Sequence, residues 1–186
     1  EIGYLPSEIN LYDDLTVKEM LDYHVSFYDK NVNKKRKELV KLFLLDESKN
    51  VEDLSLGNSK KLGIILALMH SPKILILDEA TSGLDPIMQN IFFDLLLEEK
   101  KKGTTILYST HVLNEISKIC DRVGFIDENG TFIEIDKFLV IMWKYLVNKV
   151  DKKEFLYDVK CSKSLSDEIE KLGGKGICYR TGNSYT

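Results

Sequence analysis

The sequence predicts an α/β fold with a core of parallel strands, followed by a small α+β extension. An apolar run at 74–77 shows no alternation of polar and apolar residues, which is typical of a strand buried on both faces of a parallel sheet. Segments in which apolar residues recur at helical spacing lie before and after this run. Strands that alternate with helices up to residue 126 indicate a parallel sheet joined by right-handed crossovers.

The amino-terminal part is predicted to contain a strand over 2–5 and two helices. Thr16 and Glu19 have the spacing of a capping box, so the first helix is predicted to run over 17–28. A second helix is predicted over 34–45. Its leading residues, 34–37, are all basic, and they are interpreted as a solvated face.

Capping residues define two further helices, one on either side of the central strand. Ser55 is predicted to cap a helix over 56–70. Asp85, followed by proline at the first helical position, predicts the start of the next helix, which Gly103 ends. The remaining predicted elements are a strand over 104–108, a helix over 112–119, a hairpin of strands over 122–126 and 131–135, a helix over 137–148, and a βαβ-like tail over 155–161, 166–172 and 176–180.

The predicted elements divide the chain in two. A length of 186 residues suffices for one domain with a real core and a small appendage. Residues 1–136 are predicted to form the main domain, in which about 15–70 make a helical subdomain. Residues 137–186 are predicted to form a C-terminal accessory extension.

Composition excludes several classes of protein. The net charge of −4 lacks the basic excess of a nucleic-acid-binding domain, and 44% hydrophobic with 30% charged residues is an ordinary globular balance. The sequence contains no run of about 18 apolar residues, the length that a membrane-spanning helix requires. The three cysteines, Cys120, Cys161 and Cys178, are an odd number at irregular spacing, which favours a reducing, cytoplasmic compartment.

Polar side chains follow two neighbouring predicted strands. Asp78 and Glu79 come directly after the central apolar run, at the end where open α/β sheets place their ligands. Because a buried charge is unfavourable unless it is paired or binds a metal, this acidic pair is either exposed at the edge of the sheet or holds a cation. His111 lies just past the next strand, whereas His24 and His70 do not follow a strand and are interpreted as ordinary imidazoles.

Four short strings occur in a fixed order, each at a turn where the backbone could meet a phosphate. They are YLPSE at 4–8, LSLGN at 54–58, LDE at 77–79 continuing to SGLD at 82–85, and STH at 109–111. In this order the chain resembles the nucleotide-binding subunit of an ATP-binding-cassette (ABC) transporter over residues 1 to about 135. LSLGN looks like the signature motif, ILILDE like Walker B, SGLD like the D-loop and the histidine of STH like the switch histidine. The resemblance implies a P-loop NTPase-like fold, with ATP and Mg²⁺ as the bound groups.

The resemblance assigns roles at the carboxyl ends of the strands. Asp78 would hold Mg²⁺, usually through water, because this hard ion prefers oxygen ligands and keeps its hydration. Glu79 would act as the general base on the attacking water. His111 would contact the γ-phosphate or hold that water in line. Ser7 stands where the family usually has a glutamine that senses Mg²⁺ and the membrane partner, so it is predicted to contact the metal and the nucleotide.

A second group of residues would act across a dimer of two ATP-binding subunits. The free N–H groups and the positive dipole at a helix start suit an anion, and in the family this surface closes over ATP held by the opposite subunit. Asp85 would link the two sites, although its helix-capping role also explains it. The other residues predicted to bind ATP in this way are Ser55, Leu56, Gly57 and Asn58.

The chain departs from the family pattern at several motif positions. Ser7 is shorter than the usual glutamine, so it would reach the metal through water, or Glu8 would substitute for it. The signature has Leu56 where the family has glycine and Asn58 where it has glutamine. Walker B is followed by Ala80 where proline is common. We expect none of these changes to abolish ATP binding in a full-length parent.

The largest departure is the phosphate-binding loop, since no G-x-x-x-x-G-K-S/T stretch occurs in the 186 residues. That loop would supply backbone N–H groups, a lysine on the β- and γ-phosphates and a hydroxyl ligand for Mg²⁺. The chain is therefore interpreted as an N-terminally truncated ABC ATPase, and we expect it to bind ATP weakly and not to turn it over.

The leading hypothesis is an ATP-binding and ATP-hydrolysing subunit that couples ATP-driven dimerisation to transport. Its partners would be a second ATP-binding subunit and a transmembrane permease subunit, not nucleic acid, and it would lie in the cytoplasm, peripheral on the inner face of the cell membrane. The segment 17–28 would be where the permease docks, unless Tyr23 and Phe27 are core residues. The alternatives are a ribosome- or DNA-acting ABC-type ATPase and a non-catalytic interaction fragment.

Overall fold

The computed structural model describes residues 2–28, 32–158, 161 and 163–179. The chain divides between Asp121 and Arg122 into two compact units. The predicted boundary of the ABC-type domain at residue 136 stays a prediction, because it concerns family membership rather than compactness.

The first unit contains every element predicted for it, with ends that differ by a few residues. Its elements are β1 (Ile2–Leu5), α1 (Val17–Val25), α2 (Asn33–Leu42), a 3-10 turn (Val51–Asp53), α3 (Leu56–Leu68), β2 (Ile74–Asp78), α4 (Pro86–Lys101), β3 (Thr105–Ser109) and α5 (Leu113–Ile119). The predicted caps are present: Thr16 and Glu19 form the capping box, Ser55 caps α3, and Asp85 caps α4 with Pro86 behind it. Local sequence therefore sets where these helices begin.

Helix α2 ends before its predicted limit at residue 45. Leu44 has a φ of +51°, in the left-handed region that a continuing right-handed helix excludes. The N–H of Leu45 then donates to the carbonyl of Val40 at 3.1 Å, which closes the end of the helix. A residue in left-handed conformation thus ends the helix where apolar periodicity alone predicts that it continues.

The three strands of the first unit form one parallel sheet in the order β1–β2–β3. Leu5 of β1 pairs with Leu77 of β2, and Leu77 pairs with Tyr108 of β3. All three strands therefore end at the same edge of the sheet. This arrangement confirms the predicted parallel core and brings the residues after each strand to one place.

Only one face of this sheet is buried, so the prediction of burial on both faces is wrong. Leu75 and Leu77 are 0% and 1% exposed, whereas Ile74 on the opposite face is 42% exposed. The same face carries Tyr4 of β1 and Leu107 of β3, which are 58% and 64% exposed. The apolar run predicts a strand, but the burial of each of its faces depends on segments elsewhere in the chain.

Helix α3 packs closely against the buried face. A Cβ atom added to Gly3 of β1 would lie 2.2 Å from the carbonyl oxygen of Ala67 in α3. Most of the second half of α3 is buried, including Leu62, Ile64 and Leu68. The helix is therefore enclosed by the core instead of presenting a single apolar face.

The basic run at the start of α2 is a solvated face only in part, since Lys34 and Lys37 are exposed but Lys35 and Arg36 are not. Arg36 is 8% exposed and makes ion pairs with Asp22 of α1 and with Glu47. Lys35 pairs with the buried Glu99 of α4 at 3.0 Å. Burial of these side chains is tolerated because each charge has a carboxylate partner, and the pairs join α2 to its neighbours.

The described residues of the second unit form two small sheets and two helices. Its elements are β4 (Phe125–Ile126), β5 (Phe132–Ile133), α6 (Ile135–Leu146), β6 (Glu154–Asp158), α7 (Lys163–Lys171) and β7 (Lys175–Tyr179). Strands β6 and β7 pair in parallel around α7, as the predicted βαβ-like tail requires. Positions 159, 160 and 180 of the predicted tail lie outside the described residues. The core of this unit contains Trp143, Val147, Leu165 and Ile169.

The strand predicted over 122–126 is shorter than expected, since β4 contains Phe125–Ile126 alone. Strand β4 pairs antiparallel with β5, so the predicted hairpin is present. The turn at Gly130 has a φ of +77°, which only glycine adopts readily. Along the sequence, strands and helices alternate through α5 to β4, which agrees with the predicted limit at residue 126.

None of the described helices combines the length and the apolar character needed to cross a membrane.

Candidate functional site

The carboxyl ends of β2 and β3 bring two predicted residues into contact. Asp78 and Ser109 are the last residues of the two strands and are paired in register. The hydroxyl of Ser109 donates to Oδ1 of Asp78 at 2.7 Å. Pairing extends one residue further, because the N–H of Glu79 donates to the carbonyl of Ser109 at 3.1 Å. The two strand ends are therefore fixed to each other.

The backbone of Glu79 turns sharply away from the strand. Its φ is +48°, a left-handed conformation that is uncommon for a residue other than glycine. The carbonyl of Glu79 accepts from the N–H of Ser82 at 3.1 Å, which closes the turn. Strained backbone of this kind clusters at functional sites when the surroundings hold it in place.

The side chain of Glu79 meets His111. Its Oε1 lies 2.8 Å from Nδ1 of His111, while Asp78 contacts Ser109. The adjacent carboxylates thus have different partners. The hydrogen bond between His111 and the Glu79 carboxylate, together with the negative charge of that carboxylate, raises the pKa of the exposed His111 above its usual value. The imidazole is consequently cationic at a higher pH than an isolated histidine.

A titration of His111 tests this pairing. We expect the substitution Glu79→Gln to lower the pKa of His111 toward its ordinary value, because the charged hydrogen-bond partner is lost. Since the folded-state pKa is raised, the pair stabilises the fold fully below pH about 6.5, and this stabilisation is lost as the pH rises through the folded pKa. NMR titration of the imidazole measures the change. Asp94→Asn, an exposed carboxylate on α4, is the control, and an unchanged His111 in Glu79→Gln would refute the pairing.

Ser7 lies just past the carboxyl end of β1, next to the strand that ends in Asp78. Its side chain is exposed, as is that of Glu8. The carbonyl oxygen of Ser7 accepts from Nζ of Lys60 in α3 at 2.9 Å. Lys60 is 1% exposed, and it was not predicted from the sequence as a residue near the site. A lysine within the apolar helix α3 was the feature that could have indicated it. Burial lowers the pKa of Lys60, and the charges of Asp78 and Glu79 oppose that effect.

The other predicted residues form a second group at the start of α3. They line an open cavity of about 360 Å³ together with the turn before α4. Ser55 caps the helix by accepting from the N–H of Asn58 at 3.4 Å. The lining residues are Ser55, Leu56, Gly57, Asn58, Lys61, Gly83, Leu84 and Asp85. The structure therefore brings the signature-like string and the D-loop-like string together.

Glycines allow the close approach within this second group. A Cβ on Gly57 would lie 2.8 Å from the carbonyl oxygen of Gly83, which itself has a φ of +79°. Leu56 packs over Gly83 and remains 70% exposed. Asp85 accepts from the N–H groups of Ile87 and Met88 at 3.0 Å each, so helix capping is its observed role.

The donors at the strand ends fit Mg²⁺. This ion is usually bound through one or two carboxylates and substrate phosphates, and it keeps several water ligands. Asp78 supplies a carboxylate that the hydroxyl of Ser109 holds in place. Oxygen donors of this kind suit a hard cation rather than a soft one.

Comparison with known proteins identifies the family. The family described as "AAA domain, putative AbiEii toxin, Type IV TA system" matches residues 1–117, more than half of the chain. The chain belongs to this AAA-domain family. Its relatives and structural neighbours also confirm the predicted resemblance to ABC transporter ATP-binding subunits and the P-loop NTPase-like fold.

The similar proteins are ABC transporter components. An uncharacterized ABC transporter ATP-binding protein of Methanocaldococcus jannaschii is 36% identical over 173 residues, covering 85% of this chain and 64% of the relative. The linearmycin resistance ATP-binding protein of Bacillus subtilis is 34% identical over 140 residues, covering 72% and 45%. The chain therefore spans roughly half to two thirds of the length of the curated relatives it matches.

Solved structures of ABC-type cassettes share the fold. The structure of an ATP binding subunit of an ABC transporter matches with a TM-score of 0.65 and 28% identity, covering 76% of this chain and 62% of that one. A dimeric bacterial ABC transporter cassette matches with a TM-score of 0.56 and 23% identity, covering 63% and 55%. At that lower identity the second match supports the fold alone.

Proposed function

We propose that the chain carries part of an ATP-binding and ATP-hydrolysing site, in a protein that couples ATP-driven dimerisation of two such subunits to transport. The observation that carries the proposal is the meeting of Glu79 and His111 at 2.8 Å beside Asp78 and Ser109, at the shared edge of β2 and β3. A carboxylate aligned by an imidazole, next to a second carboxylate suited to Mg²⁺, is the donor set that hydrolysis of a phosphoanhydride needs.

Each residue at this edge has a distinct proposed task. Asp78, held by Ser109, would bind Mg²⁺, with Ser7 contributing through water; the bound ion would neutralise charge on the phosphates. Glu79 would accept a proton from the attacking water. His111 fixes the direction of the Glu79 carboxylate and presents positive charge toward the γ-phosphate, consistent with the raised pKa of its imidazole.

The group at the start of α3 would act on ATP bound by a second ATP-binding subunit. Its cavity is lined by a helix N-terminus, whose free N–H groups attract a phosphate. Ser55, Gly57 and Asn58 would approach the γ-phosphate, while Leu56 and Asp85 face the dimer partner. The structure of a related cassette is dimeric, which supports this part of the proposal.

A permease subunit at the inner face of the cell membrane is the other proposed partner. Three aromatic residues before, on and just after α1, Tyr12, Tyr23 and Phe27, are 54%, 46% and 63% exposed, and Tyr23 contacts each of the other two edge to face. The alternative that Tyr23 and Phe27 are core residues is therefore wrong. An exposed aromatic cluster is typical of a surface that contacts another protein, and it supports docking of the permease there.

Titration with ATP tests the proposed site. We expect the imidazole signals of His111 to shift with ATP and Mg²⁺ in the millimolar range, because the 186 residues contain no G-x-x-x-x-G-K-S/T stretch to grip the phosphates. Asp78→Asn should abolish the Mg²⁺-dependent part, and the exposed Asp94→Asn on α4 should not. If the imidazole signals of His111 did not shift with ATP and Mg²⁺, the proposed site would be refuted. Micromolar affinity for ATP or steady phosphate release would refute the expectation that the chain alone binds ATP weakly.

A further inference from the structure

Behind the proposed site lies a buried carboxylate with three hydroxyl partners. Glu115 of α5 is 5% exposed. Its Oε1 accepts from the hydroxyl of Thr81, and its Oε2 accepts from the hydroxyls of Tyr108 and Thr110, each at 2.7 Å. Sequence reasoning missed this cluster, because its members come from separate segments of the chain.

The three hydroxyl groups belong to the segments that carry the proposed catalytic residues. Thr81 lies two residues after Glu79, and Thr110 directly precedes His111. The hydroxyl oxygen of Thr110 also accepts from the N–H of Val112 at 3.0 Å. The backbone is therefore tied down on both sides of His111, and one carboxylate connects this loop to the turn after Glu79.

Charge fixes the direction of these hydrogen bonds. Burial alone would raise the pKa of Glu115, but the hydroxyl groups of Thr110, Thr81 and Tyr108 outweigh it and lower the pKa. Burial and the neighbouring Glu115 raise the pKa of Tyr108, so the phenol stays protonated. An ionised carboxylate only accepts hydrogen bonds, and all three hydroxyls therefore donate to it.

We propose that Glu115 is a positioning residue that holds Glu79 and His111 in register by binding both of their loops at once. Glu79 needs such support because its left-handed backbone, with φ +48°, persists only where the surroundings fix it. The catalytic value of this arrangement rests on the proposed function. The hydrogen bonds of Glu115 are made within the chain and do not depend on that function.

A glutamine at position 115 would not replace the carboxylate. It has nearly the same size, but its amide nitrogen donates hydrogen bonds and cannot accept one from a hydroxyl. Whichever way the amide turns, either the Thr81 side or the side of Tyr108 and Thr110 loses its acceptor. The hydroxyl groups on that side must then turn to accept from the amide, and the charge that strengthens all three hydrogen bonds is lost while the volume of the side chain is kept.

The imidazole of His111 reports the effect directly. The chain has only three histidines, so each is resolved by NMR, and His24 and His70 serve as a check that the fold is native. We expect Thr110→Val and Thr81→Val, which remove one hydroxyl without changing any charge, to lower the pKa of His111 most of the way to its value in Glu79→Gln. Thr110→Ser and Thr81→Ser keep the hydroxyl and should leave that pKa in place.

Several outcomes separate positioning from simple structural support. A normal His111 titration in both valine variants, with His24 and His70 unperturbed, would overturn the proposal. The proposal would also be overturned if the serine variants lowered the pKa of His111 as far as the valine variants do. If a valine variant fails to fold, Glu115→Gln is tested in its place. An Nδ1 resonance of His111 that does not differ between that variant and the unsubstituted chain counts against the proposal. No nucleotide is present, so failure of ATP binding leaves the result unaffected.

Discussion

An alanine in place of Gly3 is expected to lower the free energy of unfolding of the first unit by about 3 kcal/mol, the upper range for overpacking a core. The added Cβ would lie 2.2 Å from the carbonyl oxygen of Ala67 and 2.9 Å from side-chain atoms of Leu75 and Pro72. The nearest of these atoms is backbone, so no change of rotamer relieves the clash, and α3 must move away from β1. Urea denaturation followed by far-UV circular dichroism measures the loss.

The neighbouring strand position provides a control for Gly3→Ala. Ile2 lies on the opposite face of β1 and is 56% exposed, so Ile2→Thr keeps a β-branched side chain and is expected to change stability by no more than about 0.5 kcal/mol. If both variants unfolded at the same urea concentration, the close packing of β1 on α3 would be wrong.

An alanine at position 174 is expected to destabilise the second unit by about 2 to 3 kcal/mol, because it overpacks a small core. Its Cβ would lie 2.3 Å from Cζ2 and 2.7 Å from Cε2 of Trp143. Trp143 is 2% exposed and packs in the core of this unit with Leu165 and Ile169. The indole therefore has no room to move aside.

Fluorescence isolates this effect, since Trp143 is the only tryptophan of the chain and its emission reports the second unit. Gly176→Ala is the matched control, as its Cβ would meet Ser166 Oγ and Tyr157 Cε1 at 3.1 Å and small adjustments suffice. We expect that control to change stability by less than about 1 kcal/mol. Equal midpoints for the two variants would show that the contact between Gly174 and Trp143 is not close.

Features that depend on a few adjacent residues could be predicted from the sequence. Asp85 caps α4, Ser55 caps α3, and the central strand ends at Asp78, because capping and strand ends are determined by local backbone needs. The meeting of Glu79 with His111 also follows from local information, since parallel strands end at one edge.

Features that depend on distant segments were missed. Burial of Arg36 requires carboxylates from α1 and from the segment after α2, and neither partner is visible in the local charge pattern. Glu115 and Lys60 find their partners in other loops of the chain. A single sequence shows that such side chains are polar, but their partners depend on tertiary contacts.

The uncovered face of the sheet affects how the chain behaves in solution. Ile2, Tyr4, Ile74 and Leu107 lie on the same face of three adjacent strands and are exposed to water. A contiguous apolar surface of this kind lowers solubility and favours self-association at high concentration. We therefore expect the chain to stay monomeric most readily in dilute solution. We also expect a hydrophobic dye to bind this surface even when the molecule is fully folded.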